Sequence, residues 1–452
     1  MTYLFQTAPR AAPLLAGALL AAACLPPLAA QEAGYGGPSV LSRPGPASNA
    51  IHAPVVFRPF LSVAGIYDSG LTGTSVDSNG KLISSSSEGV EGQFGVYGFH
   101  ATRHTTVGLN YRGDVRHYTQ NSYYDGSDHT LDLAVNHELS RHVSLSLVQT
   151  AGTFSRTFGM FTGAGLYNPN FLPVPNNELF DNRTFYLMTA ADLTWQKTAR
   201  LSFNFGGSGA LVRRRSTALF GVTVSTARAD MAYRLTRHTT VGVDYSFVDM
   251  QFTKAFGSTN MHGVAANWAW RISRDWELAG RAGAYRMESL MLRTVALDPA
   301  VAAILGQSQG VQIGYNIDYA PIVGARLSRK FRRAELSFSY DRGVTPGNGV
   351  YLTSRSENAG ASYSYTGLRR WSLTAGTQYS SMDSFTQENI GTYNGYSAGC
   401  GATRSLMRND LYVTARFDVR RYTAGYAGFN RNFYRFSLTF SYSPGDMPLA
   451  FW

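Results

Sequence analysis

The sequence predicts an all-β chain that closes into a transmembrane antiparallel up-and-down β-barrel of about 18 strands, within a range of about 16–18. Three observations predict it. Apolar and polar residues alternate along many stretches, as in Val107 to Arg116, "VGLNYRGDVR". The segments between these stretches alternate between a short basic kind and a longer kind rich in Gly, Asn, Ser and Pro. Beyond the N-terminus, no run approaches the roughly 18 or more apolar residues that a membrane helix needs.

The chain has 452 residues and a formal net charge of +11, yet charged residues make up only 15% and aromatic residues 13%. Abundant aromatic and β-branched residues exclude a disordered chain. The length suits one large barrel as well as it suits several soluble domains.

From the N-terminus, residues 1–30 read as a signal peptide. Arg10 supplies the positive charge, and "AAPLLAGALLAAACLPPLAA" (Ala11 to Ala30) supplies an apolar core ending in small residues. Pro26 and Pro27 break the run, against a membrane anchor. Cys24 follows "LAAA", and Ala21 departs from the larger aliphatic usual before a lipidated cysteine. Cleavage after Ala30 leaves Cys400 as the remaining cysteine, so neither an internal disulfide nor a cysteine zinc cluster is expected. Residues 31–54, "QEAGYGGPSVLSRPGPASNAIHAP", read as a flexible periplasmic lead-in dominated by Gly, Pro and Ser. Residues 55–452 read as the barrel.

Within the barrel, Val107, Leu109, Tyr111 and Val115 share one parity, while Asn110, Arg112, Asp114 and Arg116 share the other. A strand sends alternate side chains to opposite faces, so one face is apolar and the other polar. The same pattern recurs in "RLSFNFGG" (Arg200 to Gly207), "AELSFSYD" (Ala334 to Asp341), "DLYVTARFDVR" (Asp410 to Arg420) and "RFSLTFSYS" (Arg435 to Ser443). Short basic turns separate alternate strands: "ATRH" at Ala101, "LSRH" at Leu139, "QKTAR" at Gln196, "LTRH" at Leu235, "ISRD" at Ile272, "SRKFRR" at Ser328, "GLRR" at Gly367 and "LMRND" at Leu406. The heptapeptide "TRHTTVG" occurs at Thr102 and again at Thr236. It is expected to be a tight turn running into a strand. His104 and His238 are read as turn residues, because no acidic or cysteine partner sits at metal-ligand spacing. The longer connections include Gly70 to Ser87, Phe158 to Phe180 and Arg293 to Gln309. In the last of these, Asp298, Pro299 and Gly306 are placed to cap, start and end a short helix. Folding into the barrel and lying outside it are equally consistent with the sequence.

A soluble sandwich also alternates, but these strands are long and their connections are of two kinds. Spanning a bilayer takes strands of about 9–11 residues. The sheet must close, because lipid cannot satisfy the backbone of a free edge. Short turns on the periplasmic side and longer loops outside fit that closure, with both termini in the periplasm.

On these residues the chain resembles a Gram-negative outer-membrane β-barrel protein, porin-like or of the kind associated with exopolysaccharide export. The resemblance covers nearly the whole mature chain and includes the end, where Phe436, Leu438, Phe440 and Tyr442 share a face and the tail reads "PLAFW". Tyr442 or Trp452 would supply the terminal aromatic signal for assembly. The resemblance implies residence in the cell outer membrane, contact with outer-membrane lipids and with the barrel assembly machinery, and a channel for hydrophilic solutes. A barrel for exopolysaccharide export, and an adhesin or scaffold without transport, stand as alternatives.

If apolar residues face lipid, their neighbours face the lumen. Arg112, Asp114 and Arg116 form an R-x-D-x-R row, and Arg416, Asp418 and Arg420 form another. Asp244, Arg281 and Asp318 have lumen parity, as do Asp132, Glu277, Arg326, Glu335, Asp341 and Arg435. Two readings stand: a ladder of charges that orients hydrophilic solutes, or ion pairs that brace the wall. The basic excess sits in the short turns, where Arg and Lys reach toward anionic headgroups, so nucleic acid is not an expected partner. Asp128 and His129 are adjacent and point to opposite faces, and no phosphate loop or metal cluster is visible. No catalytic activity, cofactor or metal is therefore expected.

Overall fold

Alternating segments pair with their sequence neighbours and form one sheet that closes on itself in the computed structural model. It describes residues 55–449 apart from 77–81, 121, 156–182, 386–390, 407–409, 426–428 and 445–446. The expected signal peptide (1–30), the lead-in (31–54), the whole Phe158 to Phe180 connection, and Trp452 therefore lie outside the described residues. The strands are β1 (Val55–Val76), β2 (Leu82–Ala101), β3 (Thr105–Tyr118), β4 (Gly126–Ser140), β5 (Val143–Phe154), β6 (Thr184–Gln196) and β7 (Leu201–Arg214). They continue with β8 (Gly221–Arg234), β9 (Thr239–Thr253), β10 (Gly257–Arg271), β11 (Trp276–Ala296), β12 (Gln309–Lys330), β13 (Ala334–Thr345) and β14 (Ser354–Tyr365). The remainder are β15 (Trp371–Ser384), β16 (Tyr393–Ser405), β17 (Leu411–Ala424), β18 (Phe429–Tyr442) and the short β19 (Met447–Leu449). Helix α1 spans Pro299–Leu305.

Each strand from β1 to β18 pairs antiparallel with the next, and β1 pairs with β18 from Leu61↔Tyr442 to Ser69↔Tyr434, which closes the ring. β19 adds a short pairing to the start of β1, from Val55↔Leu449 to Phe57↔Met447. Closure satisfies the backbone groups that a free edge would leave unpaired.

The expected parities hold around the wall. On β3, Val107 and Val115 are exposed on the outer face, while Arg116 and Tyr118 are buried inside. The outer face carries Leu61, Val63, Phe94, Leu133, Leu147, Phe205, Val243, Phe338, Phe417 and Phe440, all large, apolar and exposed. At the short-turn ends, aromatic side chains meet cations. The Arg329 guanidinium lies 5.0 Å from the Trp276 ring centre and 4.3 Å from that of Phe331, and Arg404 lies 5.4 Å from Trp371. Amphipathic rings and basic side chains at one level suit a membrane–water boundary. The ion pair Arg286–Glu288 on the outer face of β11 marks the other boundary. From Trp276 to Arg286 the strand covers about 10 residues, the span of a bilayer crossing.

The repeated heptapeptide starts β3 and β9, as expected. In both copies the threonine amide opening the turn donates to the carbonyl three residues on, Thr102 to Thr105 at 2.8 Å and Thr236 to Thr239 at 3.2 Å. Helix α1 has the expected caps: the Asp298 side chain accepts from the Ala300 amide, Pro299 opens the helix, and Gly306 ends it at φ 64°. None of its residues is buried, and it tips the β11–β12 hairpin, which continues past the last β12–β13 rung at Val323↔Arg342.

Two connections differ from expectation. Much of Gly70 to Ser87 and the ends of Arg293 to Gln309 are strand, because paired hairpins keep satisfying each other's backbone beyond the bilayer. The second difference is a seam. β12 pairs with β11 as far as Ala296↔Gln309, but with β13 only between Val323↔Arg342 and Lys330↔Glu335. Among the described residues, 309–322 thus have a strand partner on one side only. Pro321, just past the last shared rung, has no N–H to offer a neighbour. The upper end of β13 turns inward: Val344 has outward parity, yet it is buried in one cluster with Ala320 and Ile322.

Candidate functional site

The lumen is the site, and its wall is divided. Along β17, β18 and β1 to β4 it is charged. Arg435 on β18 pairs with Glu91 on β2 at 2.5 Å and approaches Asp68 on β1 at 3.7 Å. The Tyr118 hydroxyl donates to Asp68 at 2.5 Å. Arg116 on β3 pairs with Asp128 on β4 at 2.8 Å and lies 3.5 Å from Asp114. Asp418 sits opposite Arg435 in the β17–β18 register and is held by Arg416 at 2.7 Å.

The two R-x-D-x-R rows, far apart in sequence, thus come together through β18, β1 and β2. Arg112 stands opposite Thr130 and Gly95 on the same inner face, and Arg420 stands opposite Phe433 and Ser397. Within the rows, Arg116, Asp114, Arg416 and Asp418 sit in ion pairs. Sequence parity assigns them to the inner face but cannot see Asp68, Glu91 and Asp128, which come from other strands.

A second network lies on the far wall toward the short turns. Arg228 binds Asp192 at 2.6 Å and approaches Asp230 at 4.0 Å. Asp244 accepts from Asn267 at 2.6 Å and from the Arg281 Nε at 3.1 Å. Gly206, between them, leaves the room that Asp192 and Arg228 occupy. Asp318 is not in this network. It faces Met287 across the β11–β12 register and accepts from Asn316 at 2.6 Å.

Above that network the inner wall is apolar. Tyr186, Met188, Val212, Val222, Val224, Val248, Met250, Met261 and Met287, all on inward positions of β6 to β11, form one buried cluster. The segment between β13 and β14, residues 346–353, turns inward beside it. Tyr351 and Thr353 have no exposed surface, and Leu352 has almost none. The segment reaches strands far from its own: the Phe220 amide donates to the Gly349 carbonyl at 2.9 Å, and the Thr353 hydroxyl meets that of Thr259 at 2.7 Å. Gly349 stands at φ 93°, a conformation that favours glycine. Burial, with a smaller contribution from Asp383, pushes the Tyr351 hydroxyl up to about 12. This inner strap was missed in the sequence, because "VTPGNGVYLTS" looks like any surface turn.

At the long-loop end of the apolar wall, β7 ends in Arg213 and Arg214, and Arg215 follows. Arg213 and Arg215 are exposed, while Arg214 points inward and is buried.

No protein-family model matches the chain, and no curated protein matches it in sequence. Its shape is distantly similar to solved structures. OpdL of Pseudomonas aeruginosa is 12% identical, with a TM-score of 0.40, over 86% of this chain and 99% of that one. OccK2 (OpdF) of the same organism, solved in complex with glucuronate, is 12% identical, with a TM-score of 0.42, over 86% of this chain and 98% of that one. OccAB4 of Acinetobacter baumannii is 10% identical, with a TM-score of 0.42, over 88% of this chain and 99% of that one. At that distance neither substrate nor role transfers.

Proposed function

We propose that the chain is an outer-membrane channel that passes hydrophilic solutes. A closed ring with an apolar outer belt and charged inner networks supports this reading. Such a ring satisfies its backbone in lipid, and a polar lumen gives water and solutes a path. The division of the inner wall narrows that path. The strap 346–353 and the apolar cluster fill one side, which leaves the charged side, with Arg112, Asp114, Arg116, Arg416, Asp418 and Arg420, as the conducting surface. Among these, Arg116 is a brace held by Asp128 and Asp114, and Arg112 and Arg420 are the inner-face arginines whose neutralisation tests the charge of the path.

Planar-bilayer recording tests the reading. The wild-type protein should conduct, and its reversal potential under a salt gradient should shift toward cations when Arg112→Gln and Arg420→Gln are combined. The shift should shrink in strong salt, because the screening length falls to about 3 Å at 1 M. A wild-type protein that never conducts removes the channel reading. A folded, conducting double variant with unchanged selectivity removes the two arginines from the path.

A further inference from the structure

Arg214 is a buried arginine for which no carboxylate among the described residues supplies a partner. It is 6% exposed, on the inner face at the extracellular end of β7. Among the described residues, its side chain hydrogen-bonds to the Thr184 hydroxyl at 3.5 Å, a long and weak contact, and its Nε has no partner. Arg116, Arg228, Arg281, Arg416 and Arg435, also on the inner wall, each meet at least one carboxylate. A guanidinium carries five N–H donors in a fixed fork, and an isolated buried charge is unfavourable until something pairs with it. The strap packs directly against it. A Cβ on Gly349 would meet the Arg214 Nε at 2.6 Å, and φ there is 93°, so glycine lets the strap backbone lie against the guanidinium.

The surroundings are basic. The Lys254 amine lies over the same corner, donating to the carbonyls of Arg214 at 3.5 Å and Ser216 at 3.1 Å, whereas Arg213 has the opposite, outward parity. Positive charge of this kind attracts anions from solution.

We propose that Arg214, with Thr184 and the strap backbone at Gly349, forms an anion-binding site at the extracellular end of the lumen. It takes a small oxyanion group, a carboxylate or a phosphate, of a solute entering from outside. A planar fork beside a hydroxyl suits two-pronged recognition of such a group. The inference rests on the channel reading for its role, but its test does not need conduction.

The test is thermal unfolding of the purified full chain in detergent, at constant ionic strength, with chloride replaced stepwise by acetate or by inorganic phosphate. Wild-type protein should be stabilised by at least one of the two, and the stronger one identifies the group. Arg214→Gln should weaken the half-maximal response by about tenfold or more, the scale of one lost charge-assisted hydrogen bond. Arg214→Lys should retain part of it. Arg213→Gln removes the same charge from the outer face and should leave the response unchanged. Wild-type protein that responds to neither anion beyond chloride overturns the site, whatever the variants do. Equal weakening by Arg213→Gln and Arg214→Gln also overturns it, since only the net charge would then matter. A wild-type response without bilayer conductance would keep the site and remove the channel reading.

Discussion

Asp68 has no exposed surface and lies between Arg435 at 3.7 Å and the Tyr118 hydroxyl at 2.5 Å. Breaking a buried pair from one side leaves the other charge uncompensated, at about 3–5 kcal/mol. Asp68→Ala should therefore lower the unfolding midpoint clearly, by up to about 3 kcal/mol because Glu91 still holds Arg435. Urea unfolding followed by tryptophan fluorescence measures this, and an unchanged midpoint would remove Asp68 from the bracing of the wall. Gly349→Val meets two obstacles, its φ of 93° and the Arg214 side chain. The strained backbone alone costs about 1–3 kcal/mol. The strap is the easier part to move, so the variant should show a raised single-channel conductance with the barrel intact. Parity alone assigns Arg112, Asp114, Arg116, Asp244, Arg281, Asp318, Arg416, Asp418 and Arg420 to the inner face, because period-two patterning decides which face a residue takes. Their partners were not legible. Asp68 and Glu91 meet Arg435 only because β1 closes on β18, and one sequence without its registers does not say which rungs align.

At the scale of elements, the alternation of short and long connections was legible because Arg-rich turns and Gly- and Asn-rich loops differ in composition. The caps of α1 were legible for the same local reason. The strap 346–353 was not, since inward and outward loops share their turn residues and the direction is decided by tertiary packing. The topology predicts accessibility. An epitope inserted into α1 after Ala302 should be reached by antibody on intact cells, because the helix has no buried residue, whereas one inserted at Thr236 in the β8–β9 turn should need permeabilised cells. The reverse result would invert the barrel in the membrane. Replacing 346–353 by a short Gly-Ser linker should raise conductance, and an unchanged conductance would place the narrowest point elsewhere. The seam also has a chemical cost. Residues 309–322 lack a second strand partner, so their amides should exchange with solvent faster than those of 323–330, as hydrogen exchange by mass spectrometry would show.

For the whole molecule, the ring should resist detergent at room temperature and migrate differently in gel electrophoresis before and after boiling, with β-rich circular dichroism. Recovery as a soluble monomer without detergent would contradict the apolar outer belt. The closing contacts carry a consequence for the order of events in making the protein. Arg435 and Glu91 are 344 positions apart, and Ser443 donates to the Pro59 carbonyl across 384. Synthesis runs from β1 to β18, so the first strand to leave the ribosome is also the last to find its second neighbour. No prefix of the chain is a smaller version of the finished object, since every truncation leaves β1 with one bare side. The molecule comes into being at a single late moment, and until then its two ends must be kept from the wrong company.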